Sequence, residues 1–187
     1  MSQIKSLSVE EIEEVLEAGA GRPVEVGDAS GRTQAFTHLE HALQVAALLR
    51  RYWPGDEELA VAGLVHDIGH LLGASDEEHA EAAGAAVRAA LGERVAGVVG
   101  LHVAAKRCLV GSEGGYGAAL SDDSVTSLAR QGGAMTPEAC AAFEMLPFAA
   151  DAVRLRRADE SGKVVGLEVG DLGEWMEVVR QVHGRLG

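Results

Sequence analysis

Helix-start signals recur along the chain and separate segments whose apolar residues repeat at helical spacing. Ser8 with Glu11 and Ser75 with Glu78 have the spacing of a capping box, in which two side chains satisfy free amides of a first helical turn. The sequence shows no regular alternation of strand and helix patterns, which a parallel sheet would require. The chain is rich in alanine and leucine and has only 4% aromatic residues, which favours helix over strand. The pattern predicts an all-α fold, a single helical bundle spanning residues 1–187.

The predicted helices are separated by glycine-rich or proline-containing segments. Residues 21–36 and 111–120 are predicted to be loops, and 160–169 a turn with a short extended piece. Another helix should begin after Thr136, because an N-cap residue is often followed by proline at the first helical position. The remaining helices are expected at about 8–18, 37–53, 56–72, 75–91, 93–109, 121–131, 147–158 and 171–186.

The charge balance limits the partners that the chain can bind. The net charge of −13 and the pI near 4.9 argue against a broad DNA- or RNA-binding surface, which would be basic. A small anion could still bind where a local cationic pocket overrides the overall field. The longest apolar stretch, Leu59–Val65, is too short to span a bilayer, so no membrane association is expected. The pattern leaves the oligomeric state open.

Cysteine usage and the N-terminus favour a cytoplasmic protein. Cys108 and Cys140 form neither a C-x-x-C pair nor a disulfide framework. Free thiols suit a reducing compartment. No basic region followed by an apolar run is present at the N-terminus, so no signal peptide is predicted.

The segment Leu64–His70 (Leu-Val-His-Asp-Ile-Gly-His) combines apolar residues with metal-binding side chains. Asp67 lies roughly 100° round a helix from His66, so a neutral nitrogen and an anionic oxygen can reach one point. Such a pair suits iron, manganese or zinc. His70 is one turn from His66 on the same face. An isolated His-Asp dipeptide is more often a buried histidine beside a capping aspartate.

Three further histidines fall in neighbouring predicted helices among small or apolar residues. His41 precedes the His-Asp pair by one helix, whereas His79 and His102 follow it by one and two helices. Each alone could be an ordinary core histidine, but several unpaired buried imidazoles would be costly. A metal in the bundle core would relieve that cost. Glu40 could hydrogen-bond one of the ligand histidines.

The order His41, His66-Asp67, Asp159 resembles the signature of the HD-domain superfamily, most of whose members are metal-dependent phosphohydrolases. The resemblance covers about residues 37–159, which it identifies as the metal-binding core of an HD-domain bundle. Longer stretches are similar to the HD-domain organophosphonate oxygenases, namely 37–44 (THLEHALQ), 102–107 (HVAAKR), 131–133 (QGG) and 156–160 (RRADE).

The latter resemblance implies a mixed-valent Fe(II)/Fe(III) pair with O2 as cosubstrate. The implied reaction is oxidative C–P cleavage of a 1-hydroxyphosphonate, such as 2-amino-1-hydroxyethylphosphonate or its trimethylammonio analogue, to phosphate and a carboxylate. One iron would take His41, His66, Asp67 and Asp159, and the other would take Asp67 as a bridge with His79 and His102.

The resemblance also implies a phosphonate site, in which His70 and Lys106 additionally act in catalysis. Lys106 is one turn from His102, and a cation beside two metals is unfavourable unless an anion lies between them. The groups implied to bind the phosphonate are His70, Lys106, Ser124, Ser127 and Arg156.

This sequence departs from the amine-substrate enzymes in the loop before His41. Gly31 and Gln34 stand where those enzymes carry a tyrosine and a glutamate. The group on the second carbon of the substrate is therefore left open, and Asp28, Arg32 and Gln34 are the local candidates for recognising it.

Two other functions share the same ligands. A phosphohydrolase would use metal-bound hydroxide as nucleophile against a nucleotide or another phosphate ester. A non-catalytic ligand-binding HD module is less favoured, because every metal position is filled.

Overall fold

Helices make up most of the chain in a computed structural model that describes residues 5–27 and 33–186, with side chains described outside 25–35. The all-α prediction is confirmed. In chain order the helices are α1 (Val9–Ala18), α2 (His38–Tyr52), α3 (Glu57–Val65), α4 (Ile68–Leu71), α5 (His79–Ser112), α6 (Asp122–Arg130), α7 (Pro137–Glu144), α8 (Ala149–Ser161) and α9 (Leu172–Gly184).

Capping side chains begin most of these helices where the sequence predicts. The Ser8–Glu11 capping box forms at α1, and Thr136 caps α7. The Ser75–Glu78 box does not form, since α5 begins only at His79 and no side chain caps it. Residues 75–78 form turns instead, and the Asp76 carbonyl of this segment accepts a hydrogen bond from the His79 side chain.

Glu40 has a different role from the one proposed for it. Its carboxylate accepts a hydrogen bond from the Thr37 backbone amide at 2.8 Å, and the Thr37 hydroxyl accepts one from the Glu40 amide at 3.2 Å. This reciprocal pair is a capping box at the start of α2. Because Glu40 is engaged with the cap, the expectation that it supports a ligand histidine is wrong.

The predicted loop at 21–36 contains an antiparallel strand pair. Strand β1 (Pro23–Gly27) pairs with β2 (Thr33–Thr37), and Val24 lies opposite Phe36 in the register. The loop prediction was wrong here because pairing depends on a partner strand, whereas the local glycine-rich composition suggests only a turn.

Two predicted helix boundaries also differ in the structure. The helix expected at 56–72 is interrupted at His66 and Asp67, which lie between α3 and α4. The helices expected at 75–91 and 93–109 instead join as α5, which is kinked at Gly92 where φ is 84°. Only glycine adopts this left-handed backbone at low cost, so the predicted stop becomes a kink.

The main core lies between α2, α3, α5 and α8, with α9 packed against its outer side. Trp175 and Met176 of α9 are fully buried there. A smaller apolar cluster joins the second half of α5 to α7 and α8, and includes Phe143 and Ala152.

Cys108 and Cys140 belong to this smaller cluster and form a disulfide, so the expectation of free thiols is wrong. Their Cα atoms are 5.0 Å apart although 32 residues separate them in the chain. The packing of α7 on α5 brings the two cysteines together, and their sequence spacing does not reveal this contact.

α5 has the length and apolar composition that a membrane-crossing helix would need. The core helices of folded bundles share this property, and Val87, Val95 and Val99 of α5 are fully buried in the main core. The kink at Gly92 also divides the helix into two shorter pieces. We attribute its apolar character to core packing.

Candidate metal centre

Four buried histidines from different parts of the fold converge on one point. His41 comes from α2, His66 follows α3, and His79 and His102 come from the two halves of α5. The ring centres of His41 and His66 are 5.0 Å apart, as are those of His79 and His102, and His66 lies 5.3 Å from His102.

Each of the four imidazoles is oriented by a hydrogen bond from Nδ1 to a backbone carbonyl. The four bonds measure 2.8 Å, and the acceptors are the carbonyls of Gly162 for His41, Gly63 for His66, Asp76 for His79 and Val99 for His102. Because a carbonyl can only accept, each Nδ1 carries the proton and each Nε2 presents a lone pair to the centre.

These Nε2 atoms have too few partners without a cation. His66 Nε2 is buried and has no hydrogen-bond partner within the part of the chain that the structure describes. His79 Nε2 and His102 Nε2 lie 3.0 Å apart, so their lone pairs face each other. A bound metal would satisfy all of them, and the donor set therefore fits a metal.

The carboxylate of Asp67 lies between two pairs of histidines. Its Oδ2 is 3.5 Å from His66 Nε2 and 3.8 Å from His41 Nε2. Its Oδ1 is 3.5 Å from His79 Nε2 and 3.7 Å from His102 Nε2. The two oxygens thus face two different donor groups, which is the arrangement of a carboxylate that bridges two metals.

Asp159 completes the donor group that contains His41 and His66. Its Oδ1 is 3.1 Å from His41 Nε2 and 3.8 Å from His66 Nε2. All six sequence-predicted metal ligands therefore lie in one cluster, divided as the resemblance implies. Imidazole and carboxylate donors suit iron, manganese or zinc.

Close backbone contacts position these ligands. A side chain at Gly69 of α4 would overlap the His79 backbone, with its Cβ only 2.8 Å from the His79 carbonyl carbon. A Cβ at Gly162 would lie 2.7 Å from Val45 Cγ2, so the end of α8 lies directly on α2. These contacts bring Asp67 toward His79 and the Gly162 carbonyl toward His41.

The acidic and imidazole groups shift one another's pKa values. Burial alone would lower the pKa of His66, but the carboxylates of Asp67 and Asp159 outweigh burial and raise it to about 9. Burial likewise opposes ionisation of Asp67, yet the charges of His66 and His79 hold its pKa well below the usual value. A proton on His66 would thus compensate the carboxylates when no metal is bound.

Most of the predicted substrate-binding residues line a single cavity of about 800 Å³ above the ligand cluster. Lys106 Nζ donates to Ser127 Oγ at 2.8 Å. Ser124 Oγ, also on α6, accepts a hydrogen bond from Arg156 Nη2 at 3.2 Å. The predicted substrate-binding residues that line this cavity are His70, Lys106, Ser124, Ser127 and Arg156.

His70 lies beside the donor group that contains His79 and His102. Its ring stacks on that of His79, with centres 4.0 Å apart, and Asp67, His70 and His79 can present donor atoms to a common point. His70 is therefore close enough to a metal held there to contact a bound substrate.

The side chains proposed to recognise the second carbon of the substrate, those of Asp28, Arg32 and Gln34, lie outside the described part of the structure. Asp28, Gly31 and Arg32 fall in the gap between the strands, and Gln34 lies on β2 with its side chain not described. Their roles stay predictions.

The two cationic side chains predicted at the site, Arg156 and Lys106, differ in whether a carboxylate pairs with them. Arg156 is buried and forms ion pairs with Asp159 and Glu160. Lys106 forms no ion pair with any described residue. Burial, together with the charge of Arg156, lowers the pKa of Lys106 to about 8. An anion in the cavity would supply the missing counter-charge.

Sequence reasoning missed several residues around the site. Lys163 lines the cavity from the segment that was predicted as a turn, and Glu160 neutralises Arg156. Gln131 Nε2 donates at 3.0 Å to the Asp76 carbonyl, the same atom that accepts from His79. The Gln131-Gly-Gly stretch was the one available signal for this support.

The two histidines without an assigned role lie in different places. His38 lines the cavity with its ring centre 6.0 Å from that of His70. His183 lies away from the cluster, and its Nδ1 is 2.8 Å from the Ala90 carbonyl, which joins α9 to α5.

Comparisons with known proteins agree with this geometry. A family model described as the HD domain matches residues 38–140. The chain is 39% identical over 152 residues to the hydroxymethylphosphonate dioxygenase of Gimesia maris, covering 76% of this chain and 75% of that protein. It is 32% identical over 165 residues to the glycine-betaine-forming 1-hydroxy-2-(trimethylamino)ethylphosphonate dioxygenase of Leisingera caerulea, covering 83% and 84%. The chain therefore belongs to the HD domain family, as the order of its histidines and aspartates predicts.

Proposed function

We propose that this protein is an O2-dependent oxygenase that cleaves the C–P bond of a 1-hydroxyphosphonate to give phosphate and a carboxylate. The observation that carries the proposal is the position of Asp67, whose two oxygens face two histidine groups in a cavity that Lys106 and Arg156 also line. Two relatives that are named as dioxygenases of hydroxyphosphonates support it over the other reactions of HD domains.

The proposed cofactor is a pair of iron ions in the mixed-valent Fe(II)/Fe(III) state. One would be held by His41, His66, Asp67 and Asp159, and the other by Asp67, His79 and His102. When bound, such a pair supplies the O2 activation and one-electron chemistry that amino-acid side chains lack. The carbonyl bonds to each Nδ1 keep the imidazoles aimed at the ions.

The chain's own residues bind and orient the substrate. We expect the phosphonate oxygens to be bound by Lys106, Ser124, Ser127 and Arg156. The buried guanidinium of Arg156 also contacts Ser124 and Asp159. The hydroxyl-bearing carbon of the substrate then faces Asp67. Holding the reacting carbon in this position lowers the entropic part of the barrier. His70, beside Asp67, can hold a proton near the substrate oxygens.

The alternative is a phosphohydrolase acting on a nucleotide or another phosphate ester. It would use the same ligands and the same cations, because phosphate and phosphonate are similar anions. The relatives named above favour the oxygenase.

The experiment combines metal analysis and EPR on aerobically purified protein with phosphate release and O2 uptake. Hydroxymethylphosphonate and the 2-amino and 2-trimethylammonio hydroxyethylphosphonates form the substrate panel. We expect two irons per chain, a mixed-valent signal that shifts with one phosphonate, and phosphate release only while O2 is consumed. Phosphate release from esters without O2, with a single divalent metal, would contradict the proposal and identify a phosphohydrolase.

A further inference from the structure

Lys163 approaches the cavity on the face where α6 presents its serines. Its Nζ lies 3.0 Å from Ser121 Oγ and 3.0 Å from Ser124 Oγ. Lys163 is half-buried and lines the same cavity as the metal-ligand candidate Asp159, four residues before it in the chain. Its ammonium is therefore held beside the serine that we place in the phosphonate site.

The contact of Lys163 with Ser124 repeats the contact of Lys106 with Ser127. Lys106 reaches α6 from α5, whereas Lys163 reaches it from the segment after α8. Ser124 and Ser127 are three residues apart on one helix and share a face. Two ammonium groups thus border one hydroxyl-lined strip from opposite elements.

Neither ammonium has a carboxylate partner in the described ranges. Glu160 forms an ion pair with Arg156 and accepts a hydrogen bond from the Ser124 hydroxyl at 2.9 Å. The charge of Lys163 is also one of the influences that lower the pKa of Lys106. Two ammonium groups on one strip, neither held in an ion pair with a described residue, repel each other, and a doubly charged anion between them would relieve that repulsion.

We infer that Lys163 is a substrate-binding residue, which together with Lys106 clamps the phosphonate dianion against Ser124 and Ser127. The inference rests on the proposed function for its substrate and adds a cation to the set that the sequence suggests. A phosphonate with two ionised oxygens matches two ammonium groups better than one. Lys163 would therefore select dianionic phosphonates and inorganic phosphate over carboxylates of the same size.

The test compares Lys163→Gln and Lys163→Arg with the wild-type holoenzyme. Inorganic phosphate is the probe for binding by calorimetry, and the phosphonate that the wild type turns over is the probe for kinetics. A charge-assisted hydrogen bond is worth about 1.5–3 kcal/mol, so Lys163→Gln should weaken phosphate binding roughly 10- to 100-fold and raise KM similarly. The kcat value and the iron content should change little, and Lys163→Arg should recover most of the binding.

The matched control is Lys5→Gln, since Lys5 is an exposed lysine that pairs with Glu11 far from the cavity. If Lys163→Gln fails to retain iron, Lys163→Met, which keeps a side chain of similar length, replaces it. Phosphate binding and KM equal to those of the wild type would overturn the inference.

Phosphate binding does not depend on turnover, so the two proposals can fail separately. Wild-type protein that binds phosphate through Lys163 but consumes no O2 with any phosphonate would retain this anion site and lose the oxygenase assignment. Active protein that is indifferent to Lys163→Gln would retain the oxygenase and lose the clamp.

Discussion

Individual side chains at this site are oriented by a hydrogen bond that leaves a further donor or acceptor available for a metal or an anion. Each ligand imidazole donates through Nδ1 to a carbonyl and presents Nε2 to the centre. Lys106 follows the same principle, because Ser127 accepts one of its three N–H groups and the others remain for an anion. Substitution of Lys106 should therefore affect anion binding without disturbing the ligand imidazoles.

Replacement of Lys106 by alanine should weaken substrate binding. Loss of one charge-assisted bond of about 1.5–3 kcal/mol predicts a KM for the phosphonate that is roughly 10- to 100-fold higher. Iron content should be intact, because Lys106 is not a ligand candidate. Steady-state kinetics and metal analysis would check both points, with Lys5→Ala as the control. Unchanged kinetics would remove Lys106 from the site.

The pH dependence of substrate binding should also report on Lys106. Its pKa is lowered to about 8, mainly because it is buried and also because Arg156 is near. The ammonium is therefore present below this pH and is lost above it, so KM should rise as the pH increases through about 8. Lys106→Arg should remove this rise, because arginine stays charged. A KM profile that is flat in the wild type would contradict the assignment.

Helices and their junctions place the ligands by means of breaks and close contacts. The interruption between α3 and α4 puts His66 and Asp67 at the end of one helix and the start of the next, while Gly69 lets α4 lie against the first residue of α5. A continuous helix over 56–72, as periodicity predicts, would not place Gly69 in this contact. The junction is therefore as important to the site as the ligands themselves.

Gly69→Ala tests this junction. The added methyl group would meet the His79 backbone, which cannot yield as a side-chain tip can. Such overpacking typically costs about 1–3 kcal/mol. We expect a lower unfolding free energy. We also expect the proposed iron site at His79 and His102 to lose its metal before the site at His41 and His66 does.

The measurements for this variant are denaturant unfolding and iron content per chain. Gly184→Ala is the matched control, because it also lies in a helix and a Cβ there meets nothing within 4 Å. Equal stability and two irons in both variants would show that the contact has no role in metal binding.

Across the whole molecule, the net charge and the local field have opposite signs. The chain carries a net charge of −13, yet the strip on α6 is bordered by two lysines without carboxylate partners among the described residues. An anionic substrate is therefore expected to bind at this strip, where the two lysines offset the charge of the rest of the protein.

Removal of the metals should destabilise the whole fold. Six ligand candidates from α2, the α3–α4 junction, α5 and α8 meet at the centre, so a bound metal pair links these elements. Binding at a thousandfold excess over Kd contributes about 4 kcal/mol per ion, which predicts a fall in Tm of about 8 °C or more after chelation. Calorimetry before chelation, after chelation and after anaerobic addition of iron would measure it. An unchanged Tm would contradict a shared metal centre.

Local signals account for most of the predicted helices and for the identities of the ligand candidates. Capping residues and apolar spacing act within three or four positions, so Ser8, Ser121, Thr136 and Asp171 begin helices as the chain's own pattern suggests. The order His41, His66-Asp67, Asp159 is likewise a linear motif, and it indicated the family without any knowledge of the packing.

Contacts between distant segments could not be predicted in this way. The strand pair, the disulfide between Cys108 and Cys140, the fit of Gly69 against His79, and the approach of Lys163 to Ser124 each join residues that only the folded bundle brings together. Their energies depend on the packing of whole helices and carry no local periodicity. The chain's linear pattern thus specified which helices form and which residues can bind metal, whereas packing set their mutual distances and added a second lysine to the anion site.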